Sequence, residues 1–223
     1  MYFEEQSILN RSIWITTLVM GIVLAISAIH HGIFEVMQNG KIIDTFIIQS
    51  IGPKQQRWLN GQEVFSILSN YYITGISTIL ISVAIIIWSF FALNRYYGPA
   101  ILFLLFILVT FVGGGIIFIL FYFPVCLFAF RIRNQLSWQG KGHSDRFIGI
   151  ISRIWPYSLL LTCLLFLASL EISLFGIEGR SNSEISIFMY TSLIFAAVFM
   201  MITYFSAVIR DIYAERTKLT GSN

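Results

Sequence analysis

Long apolar segments alternate with short polar ones along this chain of 223 residues. Runs of about 20 uncharged apolar residues are long enough to cross the hydrocarbon core of a bilayer as helices. We predict membrane spans at residues 12–37, 71–93, 99–112, 116–130, 155–177 and 186–209. The pattern therefore predicts an all-α, polytopic transmembrane helix bundle that forms one integral membrane domain over residues 1–223.

The segment from Pro99 to Phe130 has no charged residue and is too long for one straight span. At about 1.5 Å per residue it would form a helix of roughly 48 Å, whereas the hydrocarbon core is about 30 Å thick. Gly113, Gly114 and Gly115 stand in its middle, and each glycine costs a helix about 1 kcal/mol relative to alanine. We therefore favour two short spans joined by a glycine turn, which gives six spans. The alternative is one kinked span that continues as an interfacial helix, which gives five.

Basic residues indicate the orientation of the chain in the cell membrane, because they accumulate on the cytoplasmic side. Six spans would place ten Lys and Arg inside and four outside, and five spans would place eleven inside and three outside. Charge therefore does not choose between them. Both topologies place the Arg131–Arg153 segment and the C-terminus in the cytoplasm, and with six spans the N-terminus is cytoplasmic as well.

Composition excludes an ordinary soluble domain. Hydrophobic residues make up 57% of the chain and charged residues only 11%, whereas a soluble domain has about 25% charged residues. The longest polar stretch runs from Gln38 to Ser69 and includes apolar residues such as Phe46 and Ile48. We predict that it is a partly structured loop that lies on the membrane surface.

The end of the first span carries a polar stripe. Ser27, His31 and Glu35 follow one another at a spacing of four residues, which places them on one face of a helix. His30 precedes them directly. Polar and ionisable groups are costly at this depth unless something pairs with them. We therefore predict a polar or ion site at His30, His31 and Glu35, and the alternative is a hydrogen-bonded pair that orients the helix end.

Glu171 lies inside the predicted span 155–177, where an acid indicates a functional site. With six spans it would lie on the same outer side as His31, and with five spans on the opposite side. His31 and Glu35 make half of a metal site, so Glu171 is the candidate for a third ligand. The alternative is an acid that reaches from the span to the membrane interface.

The second predicted span carries small hydroxyl residues on one face, namely Thr74, Thr78, Ser82 and Ser89. Such residues let helices approach closely and form hydrogen bonds across the contact. A transport path lined by hydroxyl groups has the same pattern. We favour the packing face and keep the path as the alternative.

Three local patterns carry a resemblance to known proteins. They are the ending of the first span from His30 to Gln38, the stretch from Gly61-Gln62-Glu63 through Asn70 to Thr74-Gly75, and the glycine run 113–115. Over about residues 20–135 the chain resembles a group of uncharacterised bacterial multi-pass membrane proteins. In that group prolines follow the three glycines, whereas Ile116 follows them here. The resemblance implies no known activity.

The sequence contains no H-E-x-x-H motif, no G-x-S-x-G motif and no phosphate-binding glycine loop. We therefore favour a non-enzymatic protein, either a small permease or channel-like protein or the membrane subunit of a complex. The alternatives are a metal-dependent membrane enzyme that uses the His31, Glu35 and Glu171 region, and a membrane sensor or assembly factor. The predicted partner is the lipid bilayer, with anionic headgroups at Arg131–Arg153 as a further candidate. No nucleic-acid partner is predicted, and the sequence names no cofactor.

Overall fold

The computed structural model describes residues 9–38, 40, 42, 45–50, 62–134, 136 and 145–220. These residues form helices α1 (Arg11–Val36), α2 (Tyr71–Phe91), α3 (Gly98–Phe111), α4 (Ile119–Ala129), α5 (Asp145–Phe175) and α6 (Asn182–Thr220), with strands β1 (Ile47–Ser50) and β2 (Gln62–Phe65). Within these ranges α1, α2, α5 and α6 are long and apolar enough to cross a membrane, and α3 and α4 are shorter apolar helices. The predicted all-helical class is confirmed, and the helices are compatible with membrane insertion.

Helix α1 forms the centre of the bundle. It is the most buried of the four long helices, and it contacts α2, α4, α5 and α6. Glycines allow its close crossing with α2, because a Cβ atom on Gly32 would lie 2.8 Å from the carbonyl oxygen of Gly75. Small residues at such crossings are typical of membrane helices, whose association depends on close packing rather than on the hydrophobic effect.

The outward faces of the helices are apolar. Phe91 is 76% exposed, Leu120 69% and Phe175 75%. Large exposed apolar patches are rare on soluble monomers and mark surfaces that something covers. Lipid chains cover such side chains at no cost, so these faces agree with insertion into a membrane.

Backbone and side-chain hydrogen bonds join several elements at one end of the bundle. The backbone amide of Asn10 donates to the carbonyl of Ile132 at 2.8 Å, and its side-chain amide donates to the carbonyl of Arg131 at 2.6 Å. The Arg133 guanidinium donates to the carbonyl of Asn94 at 3.1 Å. This end holds the start of α1, the connection from α2 to α3 and the end of α4. We call it the basic end.

Asp211 of α6 caps the start of α1 at the basic end. Its carboxylate accepts from the backbone amide of Ser12 at 2.9 Å and from that of Ile13 at 3.0 Å. Asn10, which occupies the N-cap position, makes no capping bond with its side chain. The first amides of a helix have no partner within the helix, so Asp211 satisfies them from a neighbouring helix.

Replacing Asp211 with alanine should lower the free energy of unfolding by about 1–2 kcal/mol, the range for loss of a helix cap. Thermal unfolding of the purified protein in detergent measures the change. Glu215→Ala is the control, because it removes an acid one turn further along the same helix without removing the cap. Equal stability of Asp211→Ala and Glu215→Ala would contradict the capping role.

The connection between α3 and α4 is a tight turn at the opposite end of the bundle. Gly113 has a φ of 114° and Gly115 a φ of 89°, values that glycine adopts readily and other residues rarely. The rings of Phe106 and Tyr122 stack with centroids 4.4 Å apart, so the two helices pack side by side. The predicted glycine turn is confirmed. We call this end the histidine end, because α1 reaches it at His31.

Two predicted spans end elsewhere in the structure, and the predicted loop contains a strand pair. Helix α5 begins at Asp145 rather than at Trp155, and Pro156 lies inside it. Helix α6 covers Asn182–Thr220 and so extends beyond residues 186–209 on both sides. The stretch predicted as a partly structured loop contains β1 and β2, which pair antiparallel with Ile47 opposite Phe65. Strand pairing satisfies the backbone groups of these residues, which an irregular loop at the membrane surface would leave to water.

Candidate functional site

Glu35 lies fully buried against the glycine turn. A Cβ atom on Gly113 would lie 2.5 Å from Oε1 and 2.7 Å from Oε2 of Glu35. The carboxyl group therefore occupies the space that any side chain at position 113 would need. Neither carboxyl oxygen has a hydrogen-bond partner among the described residues.

His31 lies one helical turn before Glu35 and is only 5% exposed. Its Nε2 atom would lie 3.3 Å from a Cβ atom on Gly115. The edge of its ring contacts Phe118, with centroids 5.4 Å apart and an angle of 73° between the planes. The glycine turn and the first residues after it thus form the wall opposite both polar side chains.

His31 and Glu35 do not form a pair with each other. Both Glu35 oxygens and the Nδ1 atom of His31 lack a hydrogen-bond partner within the described part of the chain. The alternative of a hydrogen-bonded helix-end pair is therefore wrong, because each side chain packs on its own glycine of the turn instead.

Thr78 of α2 completes the polar group around Glu35. Its hydroxyl lies beside the Glu35 carboxyl group and donates its proton to the carbonyl of Val112 at 2.5 Å. A hydroxyl group has one proton, so while Thr78 donates to Val112 it offers Glu35 only oxygen lone pairs. A protonated carboxyl group or a bound cation can use those lone pairs, whereas a bare carboxylate cannot.

Neighbouring residues hold the glycine turn in place. The Tyr122 hydroxyl donates to the carbonyl of Gly114 at 3.2 Å. The amide of Ile67 donates to the carbonyl of Phe111 at 3.0 Å, and Ser66 forms a β-bridge with Val112. The segment that follows β2 thus fixes the end of α3 above Glu35.

The hydroxyl face of α2 is buried. Thr74, Thr78, Ser82 and Ser89 are each 0% exposed. The Thr74 hydroxyl lies 2.9 Å from that of Ser66, but those of Ser82 and Ser89 lack a partner among the described residues. Ser89 fits against Gly21 of α1, where a Cβ atom would lie 2.8 Å from its Oγ atom. The face therefore lies in a helix contact and also holds polar atoms that packing alone does not satisfy.

Glu171 does not join this site. It is exposed on α5, although Phe166 of the same helix contacts Phe118 with ring centroids 5.7 Å apart. Five residues correspond to about 140° around a helix. Glu171 therefore lies near the level of His31 and Glu35 but on another face of α5. The described residues contain no group of three His, Cys, Asp or Glu side chains that could hold a metal ion. The set of His31, Glu35 and Glu171 is therefore not assembled.

His30 also lies apart from the site. Its Nδ1 atom is 2.9 Å from the carbonyl oxygen of Ile26, one turn earlier on α1. The histidine thus bonds to its own helix. The predicted contact of anionic lipid with Arg131–Arg153 stays a prediction, because residues 135 and 137–144 lie outside the described residues.

Sequence reasoning did not place the glycine turn at the site. Gly113 and Gly115 were predicted only as turn residues, and Tyr122 was not singled out. One signal was present, since the six-span topology puts the glycines and the end of the first span on the same side. That signal gives the depth of the glycine turn and of the first span's end in the membrane, but it does not show that they touch.

The fold and the site together define a helical protein whose apolar helices are compatible with membrane insertion, with a buried acid and a buried histidine against a backbone turn. The chain matches no protein family, no curated protein and no solved structure in the comparisons.

Proposed function

We propose that the protein is a small permease-like membrane protein in which Glu35 and His31 bind a cation, a proton included, during its passage across the bilayer. The Glu35 carboxyl group carries the proposal, because it is 0% exposed and lacks a hydrogen-bond partner in the described ranges. A buried carboxylate without a donor is costly, and a bound cation or proton offsets that cost. Acids inside membrane segments commonly mark ion pathways.

The atoms around Glu35 suit a small hard cation or a proton better than a transition metal. The groups at Glu35 are its own carboxyl oxygens and the Thr78 hydroxyl, all of them oxygen, and the His31 imidazole lies one helical turn away. Oxygen ligands favour hard cations, and a neighbouring imidazole accepts and releases protons. This chemistry favours a permease over a metal-dependent enzyme.

Six crossings with the basic end in the cytoplasm are part of the proposal. Helix α3 begins near Trp88, whose indole donates to the carbonyl of Gly98 at 2.9 Å, and it ends at the glycine turn beside Glu35. Helix α4 returns from there to the basic end. Their lengths of about 21 Å and about 17 Å are shorter than a typical hydrocarbon core, and local bilayer thinning accommodates such a mismatch. Glu35 then lies towards the outer side.

Glu35→Gln should lower cation flux by about ten-fold or more, because the amide cannot exchange a proton or supply a full counter-charge. Purified protein in sealed liposomes is given a gradient of H⁺, Na⁺ or K⁺, and uptake is followed for each ion. Glu171→Gln is the matched control, since it makes the same change on an exposed face. Wild-type flux of all three ions in Glu35→Gln would contradict the proposed function.

A further inference from the structure

A series of buried hydroxyl groups in the bundle lacks hydrogen-bond partners. Within the described residues these groups belong to Thr17, Ser27, Ser82, Ser89 and Tyr204. A buried polar group without a partner is destabilising, so five of them need an explanation. They lie on α1, α2 and α6, and none of them belongs to the wall around Glu35.

The contacts between α1 and α2 give the levels of these hydroxyls along the bundle. The helices run antiparallel, with Gly32 facing Gly75 and Gly21 facing Ser89. Ser82 is midway between Gly75 and Ser89, and Ser27 is close to midway between Gly32 and Gly21. Ser27 and Ser82 therefore lie at the same level, but Ser27 is about 130° around α1 from the face of Gly21 and Gly32, so the unpartnered hydroxyls of this contact are those of Ser82 and Ser89.

The unpartnered hydroxyls continue to the basic end of the bundle. The Tyr204 hydroxyl lies beside that of Thr17, although neither completes a hydrogen bond of good geometry. Thr16, the residue before Thr17, accepts from the indole of Trp155 at 2.8 Å. The guanidinium of Arg210 lies 4.6 Å from the centre of that indole. From Thr17 to Glu35 the helix rises about 27 Å, which is most of a hydrocarbon core of about 30 Å.

We propose that the hydroxyls of Tyr204, Thr17, Ser89 and Ser82 form a proton path from the basic end, along the contact between α1 and α2, to Glu35. This inference rests on the proposed function and identifies its cation as the proton. The hydroxyls are about 6–11 Å apart along the helices, and the last step, from the level of Ser82 to Glu35, is about 12 Å with Thr78 in between, so water molecules must bridge them. A metal cation would need several oxygen ligands at every stage, whereas a proton needs one group that both accepts and donates.

Proton transfer along this path is balanced without any other reactant. A hydroxyl oxygen or a bridging water accepts a proton on one side and releases its own proton on the other. Each hydroxyl is therefore restored after the step. The Glu35 carboxylate accepts the proton at the histidine end and becomes a neutral carboxyl group, which can use the lone pairs of Thr78.

The test replaces Ser82 and Ser89 separately with alanine. Each variant is placed in liposomes that contain a pH-sensitive dye, and a potassium gradient with valinomycin drives protons inward. Proton entry should fall by about ten-fold or more, because each change removes a group that exchanges protons. Thermal stability should be unchanged or higher, because an unpartnered polar atom is lost. A packing role alone would leave proton entry at the wild-type rate.

Ser206→Ala is the matched control, because it removes a buried hydroxyl that bonds to the carbonyl of Ile202 at 2.8 Å and lies outside the path. Proton entry should stay at the wild-type rate in this variant. Loss of proton entry in Glu35→Gln with normal entry in both serine variants would overturn the path but keep the Glu35 site. Na⁺ or K⁺ flux without proton flux would show that the transported cation is not the proton, and it would leave the proposed function standing. Normal flux of every ion in Glu35→Gln would overturn both.

Discussion

Replacing Gly113 with alanine is expected to destabilise the histidine end and to abolish any flux that depends on Glu35. Two costs add at this position. The φ of 114° is unfavourable for a residue with a Cβ atom, at about 1–3 kcal/mol. The new Cβ atom would also lie 2.5 Å from Oε1 of Glu35, and such overpacking costs about 1–3 kcal/mol. Thermal unfolding in detergent measures the sum.

Gly179→Ala separates these two costs. Gly179 has a φ of 76°, and a Cβ atom there would meet nothing within 4 Å. This control carries the cost of a positive φ without a steric contact, at a φ closer to the left-handed region that other residues can adopt. If Gly113→Ala costs no more than Gly179→Ala, the carboxyl group does not lie against the turn.

A double variant assigns the steric cost to Glu35 itself. Glu35→Ala removes the carboxyl group that the new Cβ atom would meet. The combination of Gly113→Ala with Glu35→Ala should then cost less than the sum of the two single changes, because residues in contact are not additive. Simple additivity would show that the Cβ atom meets some other group.

The helices could be predicted from the sequence because each presents a long apolar surface. Their ends could be predicted less well. An apolar run indicates which residues are buried in lipid or protein. The ends of a helix instead depend on where its backbone hydrogen bonds end. Helix α5 therefore starts before its apolar run, at Asp145, and α6 continues beyond it to Thr220.

One half of the candidate site could be predicted and the other half could not. The spacing of His31 and Glu35 fixes a shared face of α1, because the helical period is local information. The residue that faces them depends on how helices pack, and a contact between positions 35 and 113 has no local signal. For Glu171 the level in the membrane could be predicted, but its direction around α5 depends on packing against Phe118.

The hydroxyl face of α2 shows the same limit. Its spacing predicts one shared face, and the structure confirms that Ser82 and Ser89 are buried. Whether a buried hydroxyl has a partner depends on the opposing helix, here on Gly21 of α1. Helix packing and a proton path therefore use the same residues, and function measurements rather than sequence separate them.

Six crossings predict that a single cysteine in each connection is labelled either in intact cells or only after permeabilisation. In a background without Cys126 and Cys163, single cysteines replace Ile67, Tyr96, Asn134 and Ser181, which lie outside the helices. An impermeant thiol reagent should label positions 67 and 181 in intact cells, and positions 96 and 134 only after permeabilisation. The hydrogen bond from Arg133 to Asn94 supports a common side for positions 96 and 134.

Five crossings would place the two members of each pair on opposite sides of the membrane. If residues 99–130 cross the membrane only once, position 96 moves to the outer side while 134 stays in the cytoplasm. Position 67 likewise moves inside while 181 stays outside. Labelling of 96 with protection of 67 in intact cells would therefore contradict six crossings. It would also separate the two ends of the hairpin across the bilayer, which the packing of Phe106 on Tyr122 at 4.4 Å opposes.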